Sequence, residues 1–454
     1  MARTQQRKKN KSVKMLQQIH PDAAGIDVGA TAIYIAIPDD NRSSETVRCY
    51  DTFTQDLHKA AKWLQSCKIK SVAMESTGVY WIPIFQILEA YGLDVLLVNA
   101  RHVKNVPGRK TDVQDCQWLQ YLHSVGLLRG SYRPTQDVCA IRSLLRHRDS
   151  MVKIASTHVQ HIHKALTQMN LQIHNVIRHI TGLTGLAILD AILAGERNPK
   201  KLADLRHGKI KASADVIEKS LEGDYLPEHL FTLKQALQSY RHYQEMIRAC
   251  DHEIEAYLID FESRIAPDDT PPEPRIKKLK PTGNEPDFDL RSHLYRVFGT
   301  DLTQIDEISV LTTQTLFAEI GPDLSKFTSA NHFCSWLGLC PNNKISGGRI
   351  LSSKTKPGSN RAAQALRLAA QALWRSQSYL GHYYRRMRTR HGTPKAITAT
   401  AHKLARIVFH LLTTGKTFDE SVFADQENNH KQRLIQKMQK QAKHMGFQIV
   451  PYQS

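Results

Sequence analysis

This 454-residue sequence lacks the features of several common protein classes. Its seven cysteines include no Cys-x-x-Cys pair, which argues against a zinc ribbon or a disulfide framework and indicates a reducing compartment. No apolar run approaches the length of a membrane span, and no apolar segment follows the basic N-terminus as it would in a signal peptide. A Gly-x4-Gly-Lys-Ser/Thr phosphate loop is also absent, consistent with chemistry that needs no ATP. We expect a soluble intracellular protein.

Positive charge is in excess over the chain as a whole. Lys and Arg number 62 against 43 Asp and Glu, a formal net charge of +19. Such a balance indicates a polyanionic partner, most often nucleic acid, although a merely soluble basic protein stays an alternative. Residues 1–14 contain no acid and form an arm that either contacts phosphates or keeps the chain soluble.

The pattern of residues 22–124 predicts an α/β domain. Two Ile-rich strands joined at Gly29 and a third strand near residue 50 precede an alternation of helix, strand, helix, strand and helix. Three antiparallel strands followed by β-α units fit a mixed sheet flanked by helices. The carboxyl ends of the parallel strands in such a sheet form the usual ligand site.

Four carboxylates could meet at that edge of the predicted sheet. Asp27 lies inside an apolar strand, where a carboxylate is costly to bury unless it binds something, and Glu75 ends the fourth strand. Thr111 reads as the N-cap of a helix whose first turns carry Asp112 and Asp115 on one face. Acidic residues favour helix N-termini in any case, so this last pair alone also fits a solvated, capped helix start.

The remainder of the chain is predicted to be helical. Apolar residues at a three-four spacing predict two long helices, within 141–169 and 226–258, which form either an antiparallel coiled coil or a pairing between chains. A Pro-rich polar stretch around 263–290 reads as a linker or an extended loop. Further helices follow, and the basic helix that closes the chain is either a solvated surface or a nucleic-acid contact.

Three short motifs at fitting places in this order carry a resemblance to a known family. GID at 25–27, ESTG at 75–78 and KTDVQD at 110–115 resemble the DEDD domain of the transposases of insertion-sequence family one hundred and ten, a RuvC-like domain with an RNase H fold. GLCPNNKISGG at 338–348 and KPGSNRAAQALRLAA at 356–370 resemble the helical C-terminal transposase domain of that family. One departure is IDEISVLTT, which lacks the glycine that the family often carries in a helix-hairpin-helix turn.

The resemblance implies a catalytic apparatus. Asp27, Glu75, Asp112 and Asp115 would form a metal-binding tetrad, and Ser346 would be the catalytic serine. Hard oxygen ligands suit Mg²⁺ or Mn²⁺, and two such ions can hold a scissile phosphate. From the residues alone, Ser346 is an ordinary serine of a Gly-flanked loop, and Ser352 or Ser353 would serve as well.

The implied activity is that of a cytoplasmic, nucleoid-associated bacterial or archaeal DNA transposase that mobilises an insertion sequence. Its partners would be donor and target DNA, a guide or bridge RNA, and further copies of itself in a homodimer or homotetramer. Candidate nucleic-acid contacts are the basic residues Arg101, Lys104, Arg109, Lys110, Lys344, Arg349, Lys354, Arg361, Arg385, Arg386 and Arg388. Two rivals stay open, namely a metal-dependent nuclease or junction resolvase that uses water, and a non-catalytic nucleic-acid-binding scaffold.

The resulting domain plan has six parts. They are a basic arm (1–20), a RuvC-like domain (21–135), a helical coiled-coil region for assembly (136–262), a linker (263–292), a helical transposase domain (293–420) and a basic tail (421–454).

Overall fold

The computed structural model describes residues 17–76, 78–99, 111–275, 284–358 and 360–448. It divides into two compact units, residues 1–133 and residues 134–454. The finer six-part plan stays a prediction. Most of the basic arm and four of the predicted nucleic-acid contacts lie outside the described residues; those contacts are Arg101, Lys104, Arg109 and Lys110. Within the described ranges, no helix is both long enough and apolar enough to cross a membrane.

The first unit contains a five-stranded mixed sheet, as the sequence predicts. Its strands are β1 (Ala23–Val28), β2 (Ala32–Ala36), β3 (Val47–Asp51), β4 (Ser71–Glu75) and β5 (Asp94–Val98). Its helices are α1 (Thr54–Ser66), α2 (Trp81–Ala90) and α3 (Asp112–Ser124). The strand order is β3-β2-β1-β4-β5, in which β1 pairs antiparallel with β2 and parallel with β4. The predicted α/β architecture, which fits an RNase H-like domain, is confirmed.

Side-chain alternation along β1 assigns the two faces of the sheet. Ile26 packs into the apolar core with Leu64 of α1 and Leu88 of α2, and all three side chains are fully buried. Gly25 and Asp27 point to the opposite face because successive residues of a strand alternate. Helix α3 packs on that face, and the amide of its Gln120 donates to the Ala23 carbonyl at 3.2 Å. The strand therefore buries one face in the core and turns the other toward α3.

The second unit is built on two long helices, α4 (Gln136–Gln168) and α9 (Pro227–Asp260), which pack side by side. They run antiparallel, because Arg148 pairs with Asp251 near one end while the Asp224 amide donates to the Met169 carbonyl at 2.9 Å beyond the other. This is one of the two arrangements that the sequence predicts. Supercoiling and pairing between chains stay predictions.

Short helices cover one end of the long pair, most of them within residues 181–224, for which the sequence pattern predicts no definite elements. They are α5 (Ile173–Val176), α6 (Leu183–Leu193), α7 (Pro199–Asp204) and α8 (Ala214–Lys219). Apolar side chains such as Ile188, Ile192 and Leu202 are fully buried there against Leu166 and Leu233 of the long helices. This cluster is a local core that closes the end of the helix pair.

The C-terminal part of the second unit is helical apart from one hairpin. Its helices are α10 (Leu290–Phe298), α11 (Val310–Ile320), α12 (Ala330–Trp336), α13 (Arg361–Ala372), α14 (Tyr379–His391), α15 (Thr393–Thr414) and α16 (Ala424–His444). The stretch predicted to be a Ser-Gly loop is a β-hairpin of β6 (Lys344–Ser346) and β7 (Arg349–Ser352). The predicted helical C-terminal region is confirmed, and within it the hairpin takes the place of the predicted loop. At the turn that lacks the family's glycine, Glu307 takes the left-handed conformation with a φ of 64°.

Candidate active site

Two of the four predicted carboxylates lie on neighbouring parallel strands. The register pairs Gly25 with Ala73 and Ile26 with Met74, so the next position along both strands brings Asp27 beside Glu75. Both residues are half-buried and follow a fully buried neighbour. Because residues in register on adjacent strands share a face, the two carboxylates lie on the face that α3 covers.

Helix α3 brings the other two carboxylates to this face. Its N-cap is Thr111, whose hydroxyl oxygen accepts from the Gln114 amide at 3.3 Å, as the sequence predicts. A Cβ at Gly25 would lie 2.3 Å from both the Cys116 carbonyl oxygen and the Gln120 nitrogen. Only glycine therefore permits this approach of helix to strand. The close approach directs the first turn of α3, with Asp112 exposed and Asp115 half-buried, toward the end of β1.

The electrostatics of two neighbouring groups also indicate that the acids converge. Burial, together with the nearby carboxylates of Asp27 and Asp115, raises the pKa of the Cys116 thiol to about 12. The pKa of the Tyr34 hydroxyl is raised, chiefly by its hydrogen bond with Cys49 and also by the Asp112 carboxylate. Tyr34 is the register partner of Asp27 on β2. Cys116 is thus close to Asp27 and Asp115, and Tyr34 is close to Asp112.

The donor set fits a hard divalent cation in its chemistry. Four carboxylates supply oxygen ligands only, and their mutual repulsion is relieved by a bound cation. In the part of the chain that the structure describes, no three His, Cys, Asp or Glu side chains are close enough together to form a metal site. The structure thus sets Asp27 beside Glu75 and packs α3 against β1, while the assembly of all four carboxylates around an ion stays a prediction.

The candidate serine lies in the second unit, at the turn of the β6–β7 hairpin. Ser346 is paired with Arg349 across a two-residue turn of Gly347 and Gly348, whose φ values are 54° and 76°. Two consecutive residues with positive φ define a type I′ turn, which glycine adopts without strain. Ser346, Lys344 and Arg349 are all exposed, so the hydroxyl is accessible and lies between cationic side chains.

The other predicted nucleic-acid contacts differ in how many interactions their side chains make within the protein. Lys354 and Arg388 are exposed. Arg361 forms an ion pair with Asp149 at 3.2 Å. Arg385 donates to the Ser376 carbonyl at 2.6 Å and to the Trp374 carbonyl at 3.1 Å, which gives its guanidinium a structural role. The remaining residue, Arg386, lies beside Tyr379 and Tyr383, with its guanidinium 5.8 and 6.0 Å from their ring centroids.

Two residues beside the predicted tetrad were not predicted from the sequence. Tyr34 stands across the β1–β2 ladder from Asp27, and Cys116 is fully buried one position after Asp115. Alternation along β2 could have indicated Tyr34, because it shares the parity that places Asp27 on the α3 face. No local pattern indicates Cys116, since its burial depends on where α3 packs.

Comparisons with known proteins agree with the geometry of both units. Residues 24–171, which include the four carboxylates, match the model of the IS110-type DEDD transposase domain, described as a transposase. Residues 299–385, which include the hairpin, match the transposase IS116/IS110/IS902 family. A 122-residue stretch is 33% identical to an uncharacterized 43.6 kDa protein of insertion element IS110 from Streptomyces coelicolor. That match covers 26% of this chain and 30% of the relative.

An RNase H-like unit followed by a helical transposase-type domain defines the class of protein, that of the DEDD transposases. The two matched regions, together with the relative from an IS110 element, show that the chain belongs to the IS110 family.

Proposed function

We propose that the chain is a DNA transposase that cuts and rejoins DNA to mobilise an insertion sequence. The observation that carries this proposal is the register that sets Asp27 beside Glu75 at the end of β1, together with the packing of α3, which begins with Asp112 and Asp115, against the same face. In this proposal the four acids and the N-terminus of α3 bind cations and phosphate oxygens. The transposase matches over both units support the same reading.

In this proposal the four carboxylates hold Mg²⁺ or Mn²⁺. When bound, such ions neutralise the charge of the scissile phosphate and stabilise its attacking and leaving oxygens. The role of this chain's residues is to fix the ligands. Strands β1 and β4 hold Asp27 and Glu75 through their ladder, and the Thr111 cap fixes the start of α3. Rigid elements position ligands better than loops do.

The proposed nucleophile is the Ser346 hydroxyl. Its Oγ forms a bond to phosphorus while one phosphorus–oxygen bond to a deoxyribose breaks, and the released sugar oxygen takes a proton to become a hydroxyl. The resulting phosphoserine link keeps the energy of the phosphodiester, so reversal with another sugar hydroxyl rejoins strands without ATP. Arg349, paired with Ser346 across the hairpin, supplies positive charge beside the entering phosphate.

We further propose that a structured guide or bridge RNA directs the reaction to donor and target DNA. The net charge of +19 supports more polyanion contact than the reacting phosphates alone would need. Assembly as a homodimer or homotetramer belongs to the same proposal. The antiparallel long helices α4 and α9 are the candidate assembly region.

The test is a search for a covalent protein–DNA adduct. The full chain is combined with its flanking element DNA and Mg²⁺, and the products are resolved after denaturation. Ser346→Ala and Asp27→Asn should each reduce the adduct below detection, because one removes the nucleophile and the other a metal ligand. Ser352→Ala and Ser353→Ala are matched serine controls, and Asp51→Asn, at the end of β3, is the carboxylate control. All three controls should keep the adduct.

Other outcomes assign other functions. Cleavage without an adduct that survives Ser346→Ala but not Asp27→Asn would make the chain a hydrolytic nuclease or junction resolvase and overturn the serine mechanism. Nucleic-acid binding that is unchanged in every variant, with no cleavage at all, would make it a scaffold. Omission of the RNA from the assay tests guidance, since loss of site selection without RNA is expected.

A further inference from the structure

A second concave site lies in the second unit, away from the Ser346 hairpin in sequence. It is a cavity of about 840 Å³ between α14, α15 and the segment 416–423 that follows α15. Its cationic lining includes Lys403, Arg406 and Lys416, and its aromatic lining includes Tyr383, Phe418 and Phe423. Residues 393–423 lie outside both regions matched to transposase families.

Lys403, in the lining of this cavity, has an ammonium group surrounded by aromatic side chains. Its ammonium donates to the Tyr379 hydroxyl at 2.6 Å and lies 4.4 Å, 4.7 Å and 5.0 Å from the ring centroids of Tyr379, Tyr383 and Phe423. Among the described residues, no carboxylate comes within ion-pair distance of it. Burial, and then the charges of Arg386 and Arg406, lower its pKa to about 8.

The surroundings of Lys403 leave positive charge in excess at this place. Arg406 and Lys416 are exposed and line the same cavity, with His402 and His410 on the same helix. One acid, Asp419, is also in the lining, but its carboxylate accepts from the amide and hydroxyl of Ser421 at 2.8 and 2.7 Å. These contacts lower the pKa of Asp419 and engage its oxygens. Cations gathered without paired carboxylates favour an anionic ligand.

The aromatic side chains narrow the class of anion. Flat rings beside cations bind a group that carries both a phosphate and a planar base, because the base stacks on a ring while the cations contact the phosphate. A base inside a duplex has both faces covered by its neighbours. Only an unstacked base of a single strand can reach rings that line a cavity. A site of this volume is within the range of small-molecule pockets and can hold one nucleotide.

We propose that this cavity binds one unstacked nucleotide of a single-stranded nucleic-acid segment, with Arg406 and Lys416 on the phosphate and Phe418 or Tyr383 on the base. Lys403 forms the floor of the cavity and contributes charge. The proposal rests on the proposed nucleic-acid substrate but not on the chemistry of Ser346. The strand is either RNA or unpaired DNA, since both present the same phosphodiester and base.

The test combines affinity with the position of contact. Full-length protein is titrated into labelled single-stranded RNA, single-stranded DNA of the same sequence, and the matching duplex, over a series of salt concentrations. Arg406→Gln and Phe418→Ala should each weaken single-strand binding about tenfold. Arg406→Gln should also lower the salt slope by about 0.7, the value for one phosphate contact of a single strand. Duplex binding should change as little as in the control.

Two variants guard against indirect effects. Lys395→Gln removes one exposed charge from the same helix, α15, at a residue outside the cavity lining, and should bind like wild type. Phe418→Trp keeps a stacking surface and should restore most of the affinity that Phe418→Ala loses. Photo-crosslinking with iodouridine or iododeoxyuridine strands, followed by peptide mass spectrometry, should place adducts on Tyr383, Phe418 or Phe423.

The outcomes separate this inference from the proposed function. A loss confined to RNA identifies a guide strand, one confined to DNA identifies unpaired DNA, and equal losses show shared recognition. Each of these supports the site. Crosslinks that avoid residues 379–423, together with variants that bind like Lys395→Gln, overturn it. The serine mechanism is tested separately. If the cavity variants bind single strands like wild type and the Ser346 adduct still forms, only the cavity proposal is refuted. If the cavity variants weaken binding as expected but wild type forms no adduct, only the serine mechanism is refuted.

Discussion

The two units hold their candidate reactive groups in opposite ways. In the first unit, Asp27 and Glu75 are half-buried at the ends of central strands, and backbone packing at Gly25 fixes α3 against them. In the second, Ser346 lies on an exposed two-stranded hairpin whose apolar side chains Ile345 and Ile350 are 62% and 61% exposed. Metal ligands need fixed geometry, whereas a nucleophile on a small hairpin can move toward a bound strand. The uncovered apolar face of the hairpin is typical of a surface that becomes covered on binding.

The long helices α4 and α9 of the second unit are joined by a buried ion pair, so the exposed hairpin belongs to a well-packed unit. Arg148 and Asp251 form this pair, with side chains only 6% and 7% exposed. The two units therefore differ in how tightly the residues around each reactive group are packed, rather than in the rigidity of the whole unit. Four variants or measurements test this difference.

The largest effect is expected from Asp251→Ala. Among the described residues, it leaves the buried Arg148 guanidinium with only the Asn284 carbonyl, at 3.1 Å, to accept from it. Removing one partner of a buried pair costs about 3–5 kcal/mol in the free energy of unfolding. Denaturant unfolding measures the loss, and hydrogen exchange should localise it to α4 and α9. The double variant Arg148→Met/Asp251→Leu should recover most of the stability.

The matched control for this pair is Asp190→Ala. It breaks the exposed Arg241–Asp190 pair, in which the atoms are 2.6 Å apart and the side chains are 46% and 48% exposed. An exposed pair contributes only about 0.2–1 kcal/mol. Equal losses in Asp251→Ala and Asp190→Ala would contradict the assigned role of the buried pair.

A somewhat smaller loss is expected from Gly25→Ala in the first unit. The new Cβ meets backbone atoms of Cys116 and Gln120 at 2.3 Å, so α3 must shift away from β1. We expect a cost of about 3 kcal/mol, the upper part of the range for overpacking, because backbone cannot move as a side chain can. DNA cleavage should fall with it, since α3 carries Asp112 and Asp115. Gly208→Ala, where a Cβ meets nothing within 4 Å, is the control and should leave both stability and cleavage unchanged.

The third prediction concerns the pH dependence that Lys403 gives to stability. Its pKa is about 8 in the folded chain and about 10.4 when unfolded, so the unfolded state binds more protons between these values. Wild-type stability should therefore rise relative to Lys403→Met as the pH increases from 8 to 10.5. We expect about 2 kcal/mol, less than the pKa difference alone would give, because Lys403 is only half-buried and solvent screens its charge. Burial raises the pKa of the neighbouring Tyr383, whose own ionisation is thus moved upward. A difference curve that is flat across this window would contradict the assigned position of Lys403, half-buried among aromatic rings.

The smallest effect is expected at the hairpin. Gly348→Ala places a side chain at a φ of 76°, in the left-handed region, at a cost of about 1 kcal/mol. Because the hairpin is exposed, the cost should appear as a roughly fivefold lower yield of the Ser346 adduct, with global unfolding unchanged. Gly358→Ala lies in open space without a positive φ and should keep the wild-type yield. A normal yield in Gly348→Ala would show that the turn geometry does not position the serine.

Much of the fold followed from local patterns. Alternation predicted the strands of the first unit, and β4 ends at Glu75 as expected. The three-four spacing predicted α4 and α9, and Thr111 caps α3 at the predicted residue. Each of these features depends on residues within a few positions in sequence, so it can be predicted without knowledge of the rest of the chain.

The β6–β7 hairpin was missed for a reason that lies in the sequence. Gly347-Gly348 between two Ile-containing triplets is a two-residue turn signal, which favours a type I′ hairpin over a loop. This signal was not used to predict a hairpin, because the flanking strands are short and the surrounding sequence is helical. Residues 181–224 were unassigned because their helices are short and are stabilised by burial against α4 and α9 rather than by their own periodicity.

Asp27 stands out from local sequence, because a carboxylate inside an apolar strand is unusual, whereas Asp112, Asp115 and Ser346 became candidates through the family resemblance. The neighbours of these residues follow from tertiary packing. The register of β1 with β4 spans 48 residues between Asp27 and Glu75, and the approach of α3 depends on a missing Cβ at Gly25. The aromatic box around Lys403 likewise joins α14, α15 and the segment after α15. Contacts between distant positions depend on packing and burial, and a local pattern carries no record of them.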